Sequence, residues 1–206
     1  MALMPWAAIA QDSGLLRMDT LDAGREWQAV GRLDVNGDGF CTGALIAPDL
    51  VLTAAHCLFD SETKTPIRPD TIEFLAGWRN GRASAYRTVR RAVVHPDYTY
   101  DGQVSTERVR NDIALLQLQR PIRNTTVTPF ETDVRPRKGA RIGVVSYAHD
   151  RAEAPSLQDV CAVKKHATDA EGTCPYVPKL GVFFEFYDFA RLQRYKNTIN
   201  RCRRLL

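Results

Sequence analysis

The sequence is most informative through what it lacks. No apolar run reaches the roughly 18 residues that a membrane-spanning helix needs, which excludes a membrane-spanning protein. There is no internal repeat and no low-complexity tract, and no Cys-x-x-Cys or His-x-x-x-His spacing that would indicate a zinc site. No serine follows Ser156. A chain of 206 residues is nevertheless too long for a disulfide-only miniprotein and can bury a sizeable core.

The composition is that of a globular, turn-rich chain. Hydrophobic residues make up 44% and charged residues 25%, both ordinary values. The 13 glycines and 11 prolines indicate many turns and argue against a helical bundle or a coiled coil.

Charge divides the chain into two parts. Residues 1–160 have a net charge of −1, whereas residues 161–206 carry nine Lys and Arg against four Asp and Glu, together with seven of the 18 aromatic residues. We interpret residues 165–206 as an atypical basic tail, solvated or disordered rather than a dedicated nucleic-acid site.

Short strands separated by turns predict an all-β fold. The candidate strands are residues 28–33, 40–46, 50–53, 72–76, 87–94 and 113–118, and six strands would close one small antiparallel barrel. Asn36-Gly37 predicts a hairpin turn. Further strands at 141–147 and 157–163 indicate that a second barrel begins over residues 121–164, but no recognisable strands complete it.

The N-terminus and the cysteines indicate export. Residues 1–10 are uncharged, mostly apolar and end in Ala-Ile-Ala, which is typical of the end of a signal peptide whose start lies upstream, with a plain apolar terminus as the alternative. Residues 11–26 would then form an N-terminal arm. Five cysteines fit one or two disulfides in a secreted or periplasmic protein, and five buried free thiols in a cytosolic protein are the alternative.

A histidine and an aspartate are the candidate chemical groups. Cys41 and Cys57 bracket two predicted strands and His56. If the two cysteines form a disulfide, the closed loop adds roughly 3 kcal/mol of stability and fixes the backbone at His56. Asp112 opens an apolar strand, where a carboxylate suits an orienting role for a histidine general base.

Residues 53–57 (TAAHC) and 111–116 (NDIALL) resemble the histidine and aspartate motifs of the trypsin-like, chymotrypsin-fold serine proteases. Residues 41–46 (CTGALI) and 95–98 (HPDY) resemble the same family, with bacterial members the most similar. The resemblance implies a double antiparallel β-barrel of the chymotrypsin type with a catalytic cleft between the barrels. The strand pattern of this sequence predicts that the first barrel, at 27–120, is complete and the second is incomplete. The resemblance also implies that His56 is a general base, that Asp112 orients it, and that the substrate is a protein or peptide.

The family's nucleophile is not found. No Gly-Asp-Ser-Gly-Gly-like loop is present, and neither Ser146 nor Ser156 has flanking glycines for an oxyanion hole. Cys174 is a weak alternative because Pro175 follows it and has no amide proton to donate. The family's Ile-Val-Gly-Gly activation sequence does not precede Trp27. A zinc site from Cys161, His166, Cys174 and Cys202 lacks suitable spacing, so neither a metal nor a cofactor is expected.

Two hypotheses of function remain. The first is a serine endopeptidase that is inactive as written, because a truncation or frame shift near Lys164 removed the serine loop. The second is a non-catalytic relative that serves as a binding protein. Both hypotheses predict a monomer with no nucleic-acid partner and no membrane span.

Overall fold

A closed antiparallel barrel of six strands dominates the computed structural model, which describes residues 15–101, 105–132, 141–148 and 151–162. Around the barrel the strands follow the order β2-β3-β4-β7-β6-β5, and β5 pairs again with β2. The strands of the barrel are β2 (Val30–Val35), β3 (Gly39–Ala47), β4 (Leu50–Thr53), β5 (Ile72–Ala76), β6 (Ala85–Val94) and β7 (Ala114–Leu118).

A three-stranded antiparallel sheet lies beside the barrel, in the order β1-β9-β8. Its strands are β1 (Leu15–Arg17), β8 (Arg141–Ala148) and β9 (Arg151–Ala162). The all-β prediction with one complete barrel and a partial second unit is therefore confirmed. The predicted signal peptide at 1–10 and the basic tail at 165–206 lie outside the described residues.

In the part of the chain that the structure describes, helical structure is limited to short segments in the connections. The α-helix α1 spans Thr106–Asn111, and 3-10 turns occupy Arg25–Trp27, Ala55–Leu58 and Pro69–Thr71. Within the described ranges, no helix has the length and apolar character needed to cross a membrane.

The β2–β3 hairpin has the turn that the sequence predicts. Asn36 and Gly37 have φ values of 54° and 78°, and the Asp38 N–H donates to the Val35 carbonyl at 3.2 Å. Two central residues with positive φ define the type I′ turn, whose twist matches that of antiparallel strands.

Alternating apolar residues of the six strands fill the barrel interior. Leu33, Leu45, Val51, Phe74 and Leu116 are each fully buried there. Gly31 leaves room for the ring of Phe74, since a Cβ at position 31 would lie 2.3 Å from Phe74 Cε2. The tight interior fixes the strand ends from which the site residues project.

The barrel and the three-stranded sheet are joined by hydrogen bonds from the β5–β6 connection. The Trp78 indole N–H donates to the Ala152 carbonyl at 3.1 Å, and the Asn80 N–H donates to the Glu153 carbonyl at 2.6 Å. The Tyr147 hydroxyl donates to the Trp78 carbonyl at 2.8 Å. Burial raises the pKa of Tyr147 well above its usual range, so this hydroxyl remains a donor at alkaline pH values where an exposed tyrosine ionises.

Candidate active site

A disulfide holds the histidine segment against the barrel. Cys41 lies in β3 and Cys57 in the 3-10 turn Ala55–Leu58, and the two are bonded with their Cα atoms 6.2 Å apart. The bond closes over a separation of 16 residues. It fixes the chain one residue after His56.

Strand pairing brings the histidine and aspartate segments to the same end of the barrel. Antiparallel β4 and β7 are neighbours, and Thr53 at the end of β4 is opposite Ala114 at the start of β7. His56 follows Thr53 by three residues, and Asp112 precedes Ala114 by two. Both side chains therefore lie at one edge of the β4–β7 pair.

The Asp112 carboxylate contacts His56 at two points. Oδ2 lies 2.5 Å from the imidazole Nδ1, and Oδ1 accepts the His56 backbone N–H at 2.8 Å. The side chains are 30% exposed for His56 and 19% exposed for Asp112. Because the second bond is to the His56 backbone, the Asp112 carboxylate is held at two points and its orientation toward the imidazole is fixed.

This geometry selects a tautomer of the imidazole. An ionised carboxylate only accepts hydrogen bonds, so the proton between the two groups belongs to His56 Nδ1. Nε2 of the neutral ring is then unprotonated and can accept a proton. The pair has the two features that a general base requires, a fixed tautomer and a fixed orientation.

Thr42 links the strand that leads to His56 with the three-stranded sheet. The buried Thr53 hydroxyl donates to the Thr42 carbonyl at 2.9 Å, and the Thr42 hydroxyl accepts the Tyr147 N–H at 3.0 Å. Strand β8 is thereby hydrogen-bonded to β3, the neighbour of the strand β4 that leads to His56.

Aromatic residues beside the pair are the part of the site that sequence reasoning missed. Tyr98 is buried and its hydroxyl accepts a hydrogen bond from Arg108 Nε at 3.3 Å. Burial raises the pKa of Tyr98 from 10.0 to about 12. The HPDY resemblance at 95–98 pointed to this segment, but nothing in the sequence showed which rings would meet there.

Among the residues that the structure describes, no serine hydroxyl is hydrogen-bonded to the His56 ring. Ser146 and Ser156 are directly opposite each other in the β8–β9 ladder. Within the described part of the chain, neither hydroxyl bonds to the imidazole, whose side-chain hydrogen bond is to Asp112. The Ser156 hydroxyl is buried in the sheet. Cys174, the other candidate, lies outside the described residues.

Three of the four candidate zinc ligands lie outside the residues that the structure describes, so the predicted lack of a zinc site stays a prediction. His166, Cys174 and Cys202 lie outside the described residues, and for Cys161 only its position in β9 is described. Potential metal-ligand atoms of three other residues, Cys41, His56 and Cys57, all lie within 4.8 Å of one another. The two sulfur atoms are bonded to each other and are therefore not thiolate ligands.

A six-stranded barrel with a paired histidine and aspartate at one edge defines the class of chymotrypsin-fold peptidase domains. The family model described as trypsin matches residues 20–177, more than half of the chain, and the chain belongs to this family. A solved structure described as a Glu endopeptidase in complex with MPD is similar in fold, with a TM-score of 0.54 and 19% identity. The match covers 78% of this chain and 73% of that structure.

Curated relatives match part of the chain more closely. A modular serine protease of Drosophila melanogaster is 37% identical over 39% of this chain and 13% of its own length. Human cathepsin G is 34% identical over 53% of this chain and 38% of its own length. The matched part therefore spans well under half the length of either relative. Both are animal proteins, so they do not support the expected similarity to bacterial members.

Proposed function

We propose that this chain is a serine endopeptidase scaffold in which His56 is the general base and Asp112 the group that orients it. The observation that carries the proposal is the two-point contact between the Asp112 carboxylate and His56. The substrate class is a protein or peptide, in keeping with the trypsin family match.

The chemistry that this pair supports is acyl transfer. His56 Nε2 would take the proton of an attacking serine hydroxyl while its oxygen bonds to the substrate's carbonyl carbon. Asp112 would stabilise the imidazolium that forms, and the same proton would then pass to the leaving amine as the peptide C–N bond breaks. Water would release the acyl group by the same two steps.

We further propose that the chain as written does not complete this reaction. Its last serine is Ser156, whose hydroxyl is buried in the β8–β9 sheet, and Ser146 is paired with it. Because the serine motif is absent where the strand pattern ends near Lys164, a frame shift there is the favoured reason. The family match does not favour the alternative, a non-catalytic binding protein.

Peptide hydrolysis and active-site labelling test this proposal together. The chain as written should neither cleave a peptide library above the rate of the His56→Ala variant nor be labelled by a serine-reactive phosphonate. Labelling of Ser146 or Ser156 would overturn the proposed inactivity.

The coding DNA provides the decisive comparison. Translation of the other two frames beyond codon 164 should reveal a Gly-x-Ser-Gly loop, and the chain rebuilt with it should hydrolyse peptides. In the rebuilt chain, Asp112→Asn should lower kcat by about 10⁴-fold. An uninterrupted frame without such a loop, or a rebuilt chain with no activity, would contradict the endopeptidase scaffold and support the binding protein.

The compartment and the oligomeric state are also proposals. The Cys41–Cys57 disulfide is expected in an oxidising compartment, which favours a secreted protein. We propose a monomer, and light scattering of the purified chain should give the mass of a single copy.

A further inference from the structure

Four side chains pack together beside the His56–Asp112 pair, and we refer to them as the aromatic–arginine cluster: Phe59, Tyr98, Tyr100 and Arg108. The Phe59 and Tyr100 rings are stacked with centroids 5.1 Å apart and an interplanar angle of 4°. The Phe59 and Tyr98 rings are tilted, with centroids 5.9 Å apart. Offset stacked and tilted pairs are the favourable arrangements of aromatic rings.

Arg108 joins the two tyrosines. Its guanidinium carbon lies 4.6 Å from the Tyr100 ring centroid and 6.0 Å from that of Tyr98, and its Nε donates to the Tyr98 hydroxyl at 3.3 Å. Asp101 Oδ1 lies 3.7 Å from Arg108 Nη1. The Arg108 side chain is only 13% exposed, and a cation over a ring contributes most when it is withdrawn from water.

The cluster joins the two chain segments that carry the candidate catalytic pair. Phe59 follows His56 by three residues, and its N–H donates to the His56 carbonyl at 3.3 Å. Arg108 lies in α1, which ends at Asn111, and the Asp112 N–H donates to the Val109 carbonyl at 3.3 Å to cap it. A contact between Phe59 and the Tyr100–Arg108 pair therefore holds the histidine segment against the aspartate segment.

We infer that Arg108 and Tyr100 are positioning residues that keep the Asp112 carboxylate in contact with His56. They act on the pair through the stacked rings and α1. The inference concerns the pair on which the proposed function rests, but it does not require that the chain hydrolyse peptides.

Amide hydrogen exchange measures this role directly. The His56 N–H is bonded to the Asp112 carboxylate, so its exchange reports release of that carboxylate. The Leu45 N–H, bonded to the Ala29 carbonyl at 2.8 Å, reports the stability of the barrel. Arg108→Gln and Tyr100→Leu should each speed exchange at His56 by about tenfold and leave Leu45 unchanged.

Matched variants distinguish the contributions of the Tyr100 ring and the Arg108 guanidinium from the effect of losing any surface side chain. Tyr100→Phe keeps the stacked ring and should exchange like the wild type at His56. Arg108→Lys keeps the charge but loses the planar group, so about a threefold increase is expected. Arg82→Gln, at an exposed arginine of the β5–β6 connection, should have no effect.

Two results would overturn the inference. One is exchange at His56 that is unchanged in both Arg108→Gln and Tyr100→Leu. The other is an equal increase at His56 and Leu45, which would show a general loss of stability. Peptide hydrolysis by the chain as written, or labelling of Ser146 or Ser156, would count against the proposed function alone, because the exchange measurement needs no turnover.

Discussion

Thr53 and Ala114 are directly opposite each other in the β4–β7 ladder. This pairing determines the distance between the two candidate catalytic groups, since His56 lies three residues beyond Thr53 and Asp112 lies two residues before Ala114. A one-residue change of register would turn the side chains of a strand to the opposite face. The site is therefore a consequence of barrel register, with the disulfide and the aromatic–arginine cluster fixing the two short segments that follow.

Removal of the disulfide should destabilise the barrel. The double variant Cys41→Ala/Cys57→Ala removes the cross-link between residues 16 positions apart. It should lower the free energy of unfolding by about 3 kcal/mol, because the unfolded chain gains conformational freedom. Urea denaturation of the oxidised chain and the variant measures the difference. Equal stabilities would show that the bond does not restrict the unfolded chain as proposed.

A methyl group at Gly31 should disturb the barrel interior. The Cβ of Gly31→Ala would lie 2.3 Å from Phe74 Cε2 and 2.7 Å from the Leu75 carbonyl oxygen, so a loss of about 1–3 kcal/mol is expected.

Gly39→Ala is the matched control for this substitution. Its Cβ would have no atom within 4 Å, and alanine restricts the unfolded chain, so the free energy of unfolding should rise by up to about 1 kcal/mol. Chemical denaturation of both variants tests the contrast in sign. Equal effects of the two substitutions would mean that Phe74 does not occupy the space over Gly31.

Tyr98 should make stability depend on pH in the alkaline range. Burial raises its pKa from 10.0 to about 12, so the folded chain keeps the phenol protonated at pH values where the unfolded chain ionises it. This contribution to stability is complete below about pH 10 and is lost as the pH rises toward 12.

Denaturation of wild type and Tyr98→Phe between pH 8 and pH 12 checks this expectation. The variant keeps the ring but cannot ionise, so its stability should fall less steeply above about pH 10. Parallel curves for the two proteins would contradict a buried phenol at this position.

The strands could be predicted from sequence because their pattern is local. The candidate strands at 50–53 and 72–76 agree with the bounds of β4 and β5, where apolar residues are framed by turn residues. Prediction was weaker for β9, which begins at Arg151 rather than at 157, because Pro155 interrupts the apolar run. The three-residue β1 and the six-residue α1 were missed, since neither is long enough to show a period.

The candidate site was only partly accessible from sequence. His56 and Asp112 stand in local motifs that resemble those of a known family, and the structure brings them together. The contacts of Tyr100 and Arg108 depend on how two connections fold back on each other. No local sequence pattern predicts the contact between these two connections, so Tyr100 and Arg108 could not be identified from sequence.

Proton NMR of the folded chain tests the central claim most directly, namely that His56 Nδ1 donates its proton to the Asp112 carboxylate. A short, charge-assisted hydrogen bond withdraws electron density from the proton, so His56 Hδ1 should resonate far downfield of the amide protons. We expect this resonance in the wild type and its loss in Asp112→Ala and His56→Gln. Its absence from the folded wild type, or its persistence in Asp112→Ala, would contradict the account.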